Sequence, residues 1–566
     1  MYEELMESLK PNPKLNLNWY KNEDFYSEGD VEDDIIRLIA EYPPEDYSDA
    51  IYKNFNWSTY YHLTHLRKNI LNWYPFDKDA SVLEIGCGMG AITGVLCDHC
   101  KEVTSVELSK RRAIATLLRC REKENLEIIV GNLNDIEFEK KFDYITLIGV
   151  LEYQGSYTET ANPYGDFLAK IKNLLAPNGK LLIAIENQYG LKYWCGAKED
   201  HTGIPFEGMN QYTLSKKGVR TFSKADLDTL IKESGFKNTY FYYPMPDYKL
   251  PTVIYSEKYL PQNENMLNCQ CYYAPTATTL VSNEKPLYKD IIANNVFEFF
   301  ANSFLVECTD TDEVGKIPFA SISSERLPEY RICTRFTLSE TVEKFPLYKD
   351  LGAAHIQQVF QNEQDLMEQN INVWKSTLSN NRLTIPYTDA PLLETCLLDA
   401  YKKKQIDTIY ALFDKVYSDI LHSSEIVDWN ENILYTFDLN IPAEEEKYGP
   451  ILKTGYLDMI MRNAFLIHDE LYWFDQEWIL ENVPAKYVLY RAITLFYASH
   501  PELVSVLSMH EVAAHYQLTD IWDNIHLLER LFMDVVIDPQ HLAARSVFRR
   551  VDPNTRIANI NKLLKA

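Results

Sequence analysis

Val82-Leu83-Glu84-Ile85-Gly86-Cys87-Gly88-Met89-Gly90 decides the fold of the first half of this chain. An apolar run ends in three glycines at alternate positions, and a helical pattern follows. After a strand, such glycines let the backbone turn tightly and let a ligand approach the main chain. Glycine-rich turns are common, so the pattern needs support downstream. Glu102-Val103-Thr104-Ser105-Val106-Glu107 supplies it: a second strand ending in an acid, 21 positions after Gly86. A nucleotide-binding α/β fold places its ribose-gripping carboxylate there.

The same residues separate two cofactors. A dinucleotide fold wants G-x-G-x-x-G with a pyrophosphate at the helix N-terminus. Here the third glycine comes one residue early and Glu84 precedes the loop. This E-x-G-x-G-x-G form resembles the class I S-adenosylmethionine-dependent methyltransferases. Further pieces match in order: Gly131-Asn132-Leu133-Asn134-Asp135 after a third strand (Leu126 to Val130), Phe142 to Glu152 as fourth strand and loop, and Leu174 to Ile185 as helix end, turn and fifth strand. The resemblance implies S-adenosylmethionine as cofactor. It would be held by Glu84, Gly86, Gly88, Gly90, Glu107, Asn132, Leu133 and Gly149. Asn132 stands where the family often has Asp.

The chain has 566 residues, room for about three to four domains. Its net charge of −26 and lack of a long Lys/Arg run argue against nucleic acid as a substrate. The acidic start, Met1 to Glu7, lacks the order of a signal peptide. No apolar run is long enough to span a bilayer, so the expected location is cytoplasmic, with no transmembrane segment. Ten cysteines in so long a chain make no disulfide framework. Cys97-x-x-Cys100 lacks the second pair that a zinc site wants, and Cys269-x-Cys271 is also alone.

Alternating strands and helices from Ser81 to Glu186 predict a parallel sheet covered on both faces. Ser223 should cap a helix that stops at Gly235, and Phe236 to Tyr243 and Pro251 to Ser256 read as closing strands. The expected organisation is an irregular lead-in over 1–55, a Rossmann-like methyltransferase domain over 56–258, a linker over 259–288, an α+β domain over 289–490 and a helical extension over 491–566. Tyr60 to Pro75 reads as a helix, and Phe297 to Val306 and Phe319 to Thr337 as strands of the second domain.

In that second domain, Asp350 to Gln369 is a long amphipathic helix containing Glu363, and Pro391 to Leu421 is largely helical. Asp458 is followed five positions later by Asn463, and a hairpin then ends in Phe474-Asp475-Gln476. This spacing resembles the catalytic and metal loops of the protein-kinase and aminoglycoside-kinase superfamily. The resemblance implies that Asp458 orients an acceptor hydroxyl while Asn463 and Asp475 hold magnesium on ATP phosphates. The resemblance puts Lys344 in the place of the β-lobe lysine, with Arg335 competing for it. No glycine-rich phosphate loop is visible in Phe300 to Asp310.

The acceptor region should follow the fifth strand, where open α/β sheets bind ligands. Glu186 to Trp194 and then Glu199-Asp200-His201-Thr202-Gly203 are aromatic and rich in ionisable groups. His201 beside Asp200 is a candidate general base for a hydroxyl acceptor, with a structural His as the bland alternative. A phosphate acceptor needs no base but needs cations, with Lys192 or Lys198 nearest. Asp247-Tyr248 reads as structural. The Glu186-Asn187…Gly190-Leu191-Lys192-Tyr193 and Glu199 to Gly203 pieces resemble methyltransferases of bacterial surface-polysaccharide machinery. The layout is similar to O-antigen chain-terminating methyltransferase–kinases. That implies a glycan or glycan-lipid acceptor, polysaccharide-assembly proteins as partners, and ATP with magnesium as further cofactors if the second half is active. The alternative is an inactive, kinase-like binding module.

Overall fold

A computed structural model describes residues 12, 14–22, 29–215, 218–267, 279–437, 447–539 and 553–564. Met1 to Glu7 and Cys269-x-Cys271 lie outside the described residues. The chain divides into two compact units, residues 1–324 with 539–566, and residues 325–538.

The first unit is built on one large mixed sheet. Its strands are β1 (Leu15–Asn16), β2 (Ser81–Ile85), β3 (Glu102–Glu107), β4 (Leu126–Val130), β5 (Phe142–Ile148), β6 (Leu175–Glu186), β7 (Asn238–Met245), β8 (Val253–Ser256), β9 (Ser303–Thr309) and β10 (Phe319–Ile322). Their order is β1-β4-β3-β2-β5-β6-β9-β7-β8-β10. From β1 to β6 the neighbours are parallel. From β6 to β10 they are antiparallel. The parallel strands read as apolar runs because both faces are covered, as by the helices Thr93–His99, Lys110–Arg119 and Pro163–Leu174. Leu83, Ile145, Leu147, Leu181 and Ile183 are wholly buried in one core. Ser223 caps the helix Lys224–Glu233 through the Asp226 N–H, as its place before an apolar-periodic stretch predicts.

Three expectations change. The lead-in is not irregular throughout: Asp30–Glu41 and Tyr47–Lys53 are helices. Ile35, Ile36 and Ile39 recur at helical spacing and pack with Ile51, Leu63 and Ile114. The single helix expected over Tyr60 to Pro75 is instead an α-helix Trp57–Leu63, capped by Asn56, and a 3-10 helix His65–Ile70, capped by Thr64.

The third change concerns the boundary near 258. Phe297–Phe300 is a helical turn, and the strand after it, β9, enters the first sheet between β6 and β7. Every residue of β9 is buried. The first unit therefore runs to Ser324, and the last stretch returns to it: Asn559 on the helix Pro553–Leu563 donates to the Leu280 carbonyl at 2.7 Å.

The second unit contains an antiparallel sheet of β11 (Ile332–Phe336), β12 (Thr341–Pro346), β13 (Thr377–Ser379) and β14 (Arg382–Pro386), ordered β11-β12-β14-β13. The helix Ala353–Glu368 packs on it through Ile356 and Val359. A further sheet orders β15 (Ile426–Val427), β16 (Ile451–Tyr456) and β19 (Ile479–Pro484), and a hairpin joins β17 (Ala464–Ile467) to β18 (Glu470–Trp473). Helices Leu393–Lys402, Ile406–His422, Ala485–Ser499 and Trp522–Val536 share one core with these elements. No helix among the described residues is long and apolar enough to cross a membrane.

Candidate functional site

A cavity of about 410 Å³ opens at the C-terminal ends of β2 to β5. Gly86 begins its floor with φ +75°, and a Cβ there would stand 2.6 Å from Val150 Cγ2, so no larger residue fits the turn. A Cβ on Gly88 would meet nothing within 4 Å, which leaves open space above the loop. Glu107, at the end of β3, accepts from the Gly88 N–H at 2.7 Å and from the Ser109 N–H at 3.0 Å. Burial raises its pKa, opposed chiefly by the Arg112 guanidinium. Asn132, Leu133 and Gly149 line the same cavity.

Glu84 lines the cavity as well, and Gly90 does not. The Glu84 carboxylate is held by the hydroxyls of Thr93 at 2.8 Å and Ser105 at 2.6 Å. Burial pushes it up to about 7. Gly90 lies against Thr116.

A cluster of charges adjoins the cavity: Glu152, Asp200, His201 and Lys249 line it, Glu186 pairs with His201, and Asp247 is tied to Lys192. Among these acids, Glu152 and Glu186 are the buried ones. Glu152 comes from the loop after β5, Glu186 from the end of β6, Asp200 and His201 from the loop that follows, and Asp247 and Lys249 from the loop after β7. His201 Nε2 stands 3.2 Å from Glu186 and 3.9 Å from Glu152, and its Nδ1 meets the Tyr153 hydroxyl at 3.0 Å. Burial works against the charged ring, but Glu186, together with Glu152 and Glu199, outweighs it and raises the imidazole to about 9. His201 is therefore a cation at neutral pH, which opposes the expected general-base role. Asp200 is not its partner. Asp200 pairs with Lys192 at 2.9 Å and Lys249 at 2.8 Å, and it accepts from the Tyr193 hydroxyl. Burial disfavours its carboxylate, but the two lysines hold it well below the usual range.

Lys192 is also tied to Asp247 at 2.6 Å and is buried, so it is no free anion ligand. Lys198 does not line the cavity. Tyr248 does, and its hydroxyl donates to Glu186 at 3.4 Å. Lys249 pairs with Glu186 as well.

Glu152, Glu186 and His201 place one ligand-type atom each within 4.8 Å of one another. Within this group Glu186 is already paired with the His201 ring and the Lys249 ammonium. Cys97 and Cys100 are buried thiols raised by desolvation, and they form no part of that group.

The sequence pointed to the loop after β6 but passed over Glu152 and Lys249. Glu152 carried a usable signal, since it follows directly on a strand end lining the methyl-transfer region. Lys249 carried none, because only the fold brings residue 249 back to residue 186.

The second unit gathers its predicted residues too. The Asn463 amide donates to the Asp458 carbonyl at 3.2 Å and to the Asp475 carbonyl at 3.5 Å. Lys344 on β12 pairs with Asp475 and lies 3.4 Å from Glu477, whereas Arg335 is engaged by Glu343 at 2.7 Å. Burial raises Asp458 to about 6 against the pull of Arg491. The Glu363 carboxylate accepts from the Ser376 hydroxyl and N–H.

Comparison with known proteins bears on the first unit. Residues 58–240 match the family model of the methyltransferase domain. These residues form a class I S-adenosylmethionine-dependent methyltransferase domain, an enzyme fold. Nodulation protein S of Rhizobium tropici is 28% identical over 20% of this chain and 47% of its own length. An uncharacterised methyltransferase of Staphylococcus carnosus (strain TM300) is 32% identical over 20% of this chain and 51% of its own. The chain thus spans about half the length of the curated relatives it matches. The crystal structure of N-methyltransferase NodS from Bradyrhizobium japonicum WM9 aligns with 44% of this chain and 94% of that one. Identity there is 13% and the TM-score 0.26, too low to argue from.

Proposed function

We propose that this chain moves a methyl group from S-adenosylmethionine to a glycan or glycan-linked acceptor. One observation carries the reading. A single cavity is lined both by the glycine loop and Glu107 and by Glu152, Asp200, His201 and Lys249. When bound, the cofactor supplies an electrophilic methyl on a sulfonium. The open face over Gly88 and the Glu107 carboxylate fit its methionine and ribose ends, with Asn132 and Leu133 beside the base. Trp57, Tyr61, Tyr153, Tyr157 and Tyr248 give the cavity an aromatic wall. Alignment of acceptor and methyl is then the main task of the protein.

Of the two acceptors foreseen, a terminal phosphate fits less well. Lys192 and Lys249 are already paired with carboxylates, and the cluster has a surplus of acid. The glycan part rests on the Glu186 to Gly203 pieces and their likeness to surface-polysaccharide methyltransferases. It implies cytoplasmic chemistry alongside polysaccharide-assembly proteins. Calorimetry with S-adenosylmethionine and with NAD tests the cofactor, and labelled cofactor with a cellular glycan extract tests the acceptor. Binding of NAD in place of the methyl donor would end this reading.

A second reading concerns residues 325–538. The Lys344–Asp475 pair and the Asn463 bridge between Asp458 and Asp475 support a nucleotide-phosphate site there. ATP with magnesium is the ligand to test, by thermal shift. Without a shift, an inactive binding module remains.

A further inference from the structure

We infer that the methyl acceptor presents a cationic amine, and that the Glu152 carboxylate receives its ammonium group and takes its proton. The inference rests on the methyl-transfer reading and adds the nucleophile and its base.

Glu152 is wholly buried, yet neither carboxylate oxygen has a hydrogen-bond partner. It lines the cavity, and Oε1 lies 3.5 Å from where a Cβ on Gly149 would stand, beside the loop that faces the glycine turn. Its neighbours are spoken for. Glu186 has His201 and Lys249, Asp200 has Lys192 and Lys249, Asp247 has Lys192, and Glu199 accepts two backbone N–H groups. Glu186, Asp200 and Asp247 each have a cation within 3.2 Å, whereas His201 stands 3.9 Å from Glu152. A buried carboxyl whose oxygens accept no hydrogen bond, with its ion-pair partner His201 as far as 3.9 Å away, is costly.

An ammonium group answers both deficits, since it brings positive charge and several N–H donors. A hydroxyl brings one donor and no charge, and a phosphate brings more negative charge. Tyr153, Tyr157 and Tyr248 on the cavity wall suit a cation as well. Burial and the Glu186 carboxylate push Glu152 up to about 8, while His201 and Lys249 draw it down. A base in that range takes a proton from an ammonium group near neutral pH. The freed nitrogen lone pair then forms the N–C bond. The C–S bond breaks, and its electron pair returns to sulfur, which becomes neutral. The product leaves as a methylated ammonium, and Glu152 gives its proton to solvent.

The test offers labelled S-adenosylmethionine with D-glucosamine, N-acetyl-D-glucosamine, D-glucose, glucose 1-phosphate and ethanolamine, to the full chain and to Glu152→Gln. Label should enter an amine and not its amide, hydroxyl or phosphate counterpart. Glu152→Gln should lower that rate by about 10²–10⁴, with calorimetric affinity for S-adenosylmethionine kept within about twofold. Binding of the amine to protein saturated with S-adenosylhomocysteine, read by calorimetry, should be lost in the same variant. Melting temperature gives a readout free of activity: Glu152→Gln should gain on the wild type as pH rises from 5 to 8. Label in glucose or the phosphate, no label in either amine, or an unchanged Glu152→Gln overturns the inference. Ethanolamine labelled without glucosamine keeps the amine and removes the glycan. Failure to bind S-adenosylmethionine at all defeats the methyl-transfer reading instead.

Discussion

His201 and Glu107 are both buried beside the cavity, but their surroundings set opposite duties. Glu107 faces main-chain N–H groups of the glycine turn and keeps acceptor capacity for ligand hydroxyls. Glu107→Ala should weaken binding of S-adenosylmethionine by about 1.5–3 kcal/mol, the worth of hydrogen bonds to a charged group. Gly86→Val should block it outright, because the new side chain meets Val150; calorimetry reads both. His201 instead completes an ion pair. Its folded value near 9 lies above the 6.5 of a free imidazole, so the pair stabilises the fold fully below pH 6.5 and is lost as pH rises through 9. His201→Gln should therefore melt well below the wild type at pH 6 and close to it at pH 10. A gap that does not narrow with pH would show that Glu186 does not hold the proton there.

Among the elements, β9 separates what the sequence could say from what it could not. The glycine loop, β2 to β6 and the capped helix Lys224–Glu233 were legible because each carries its own local signal: apolar runs, a turn glycine, an N-cap serine. β9 carries a local strand signal too, but nothing in residues 303–309 says which sheet they join. That choice is made by pairing with residues more than 100 positions earlier, Ile183 against Val306 and Ile185 against Phe304. The same limit applies to the site. Glu107 and the glycines were readable from spacing, whereas the Lys249–Glu186 pair and the neutralised Asp200 exist only once the sheet is closed. Phe304 is wholly buried between β6 and β7, so Phe304→Ala should cost about 3–5 kcal/mol. Thermal melting that tracks S-adenosylmethionine binding would register that loss in the first unit, even though the residue lies beyond the expected domain end.

At the scale of the molecule, the two units hold separate side-chain sets, and that separation can be used. The cavity draws on residues between Trp57 and Lys249, and the second cluster on residues between Arg326 and Arg491. Within the second cluster, Lys344 neutralises Asp475, and Glu477 is held by Arg326 and by His355 at 3.5 Å. A magnesium–nucleotide complex would have to draw Lys344 from Asp475 onto phosphate and leave that carboxylate to the metal. Asp475→Ala should then abolish any thermal shift with ATP and magnesium while leaving the shift with S-adenosylmethionine unchanged. Lys344→Met should weaken the ATP shift without removing the metal requirement, because it deletes a phosphate partner and not a metal ligand. If the wild type shows no shift with ATP and magnesium, the Lys344–Asp475 pair is an internal strut and residues 325–538 serve as a binding module. A shift that survives Asp475→Ala would place the nucleotide elsewhere in that unit.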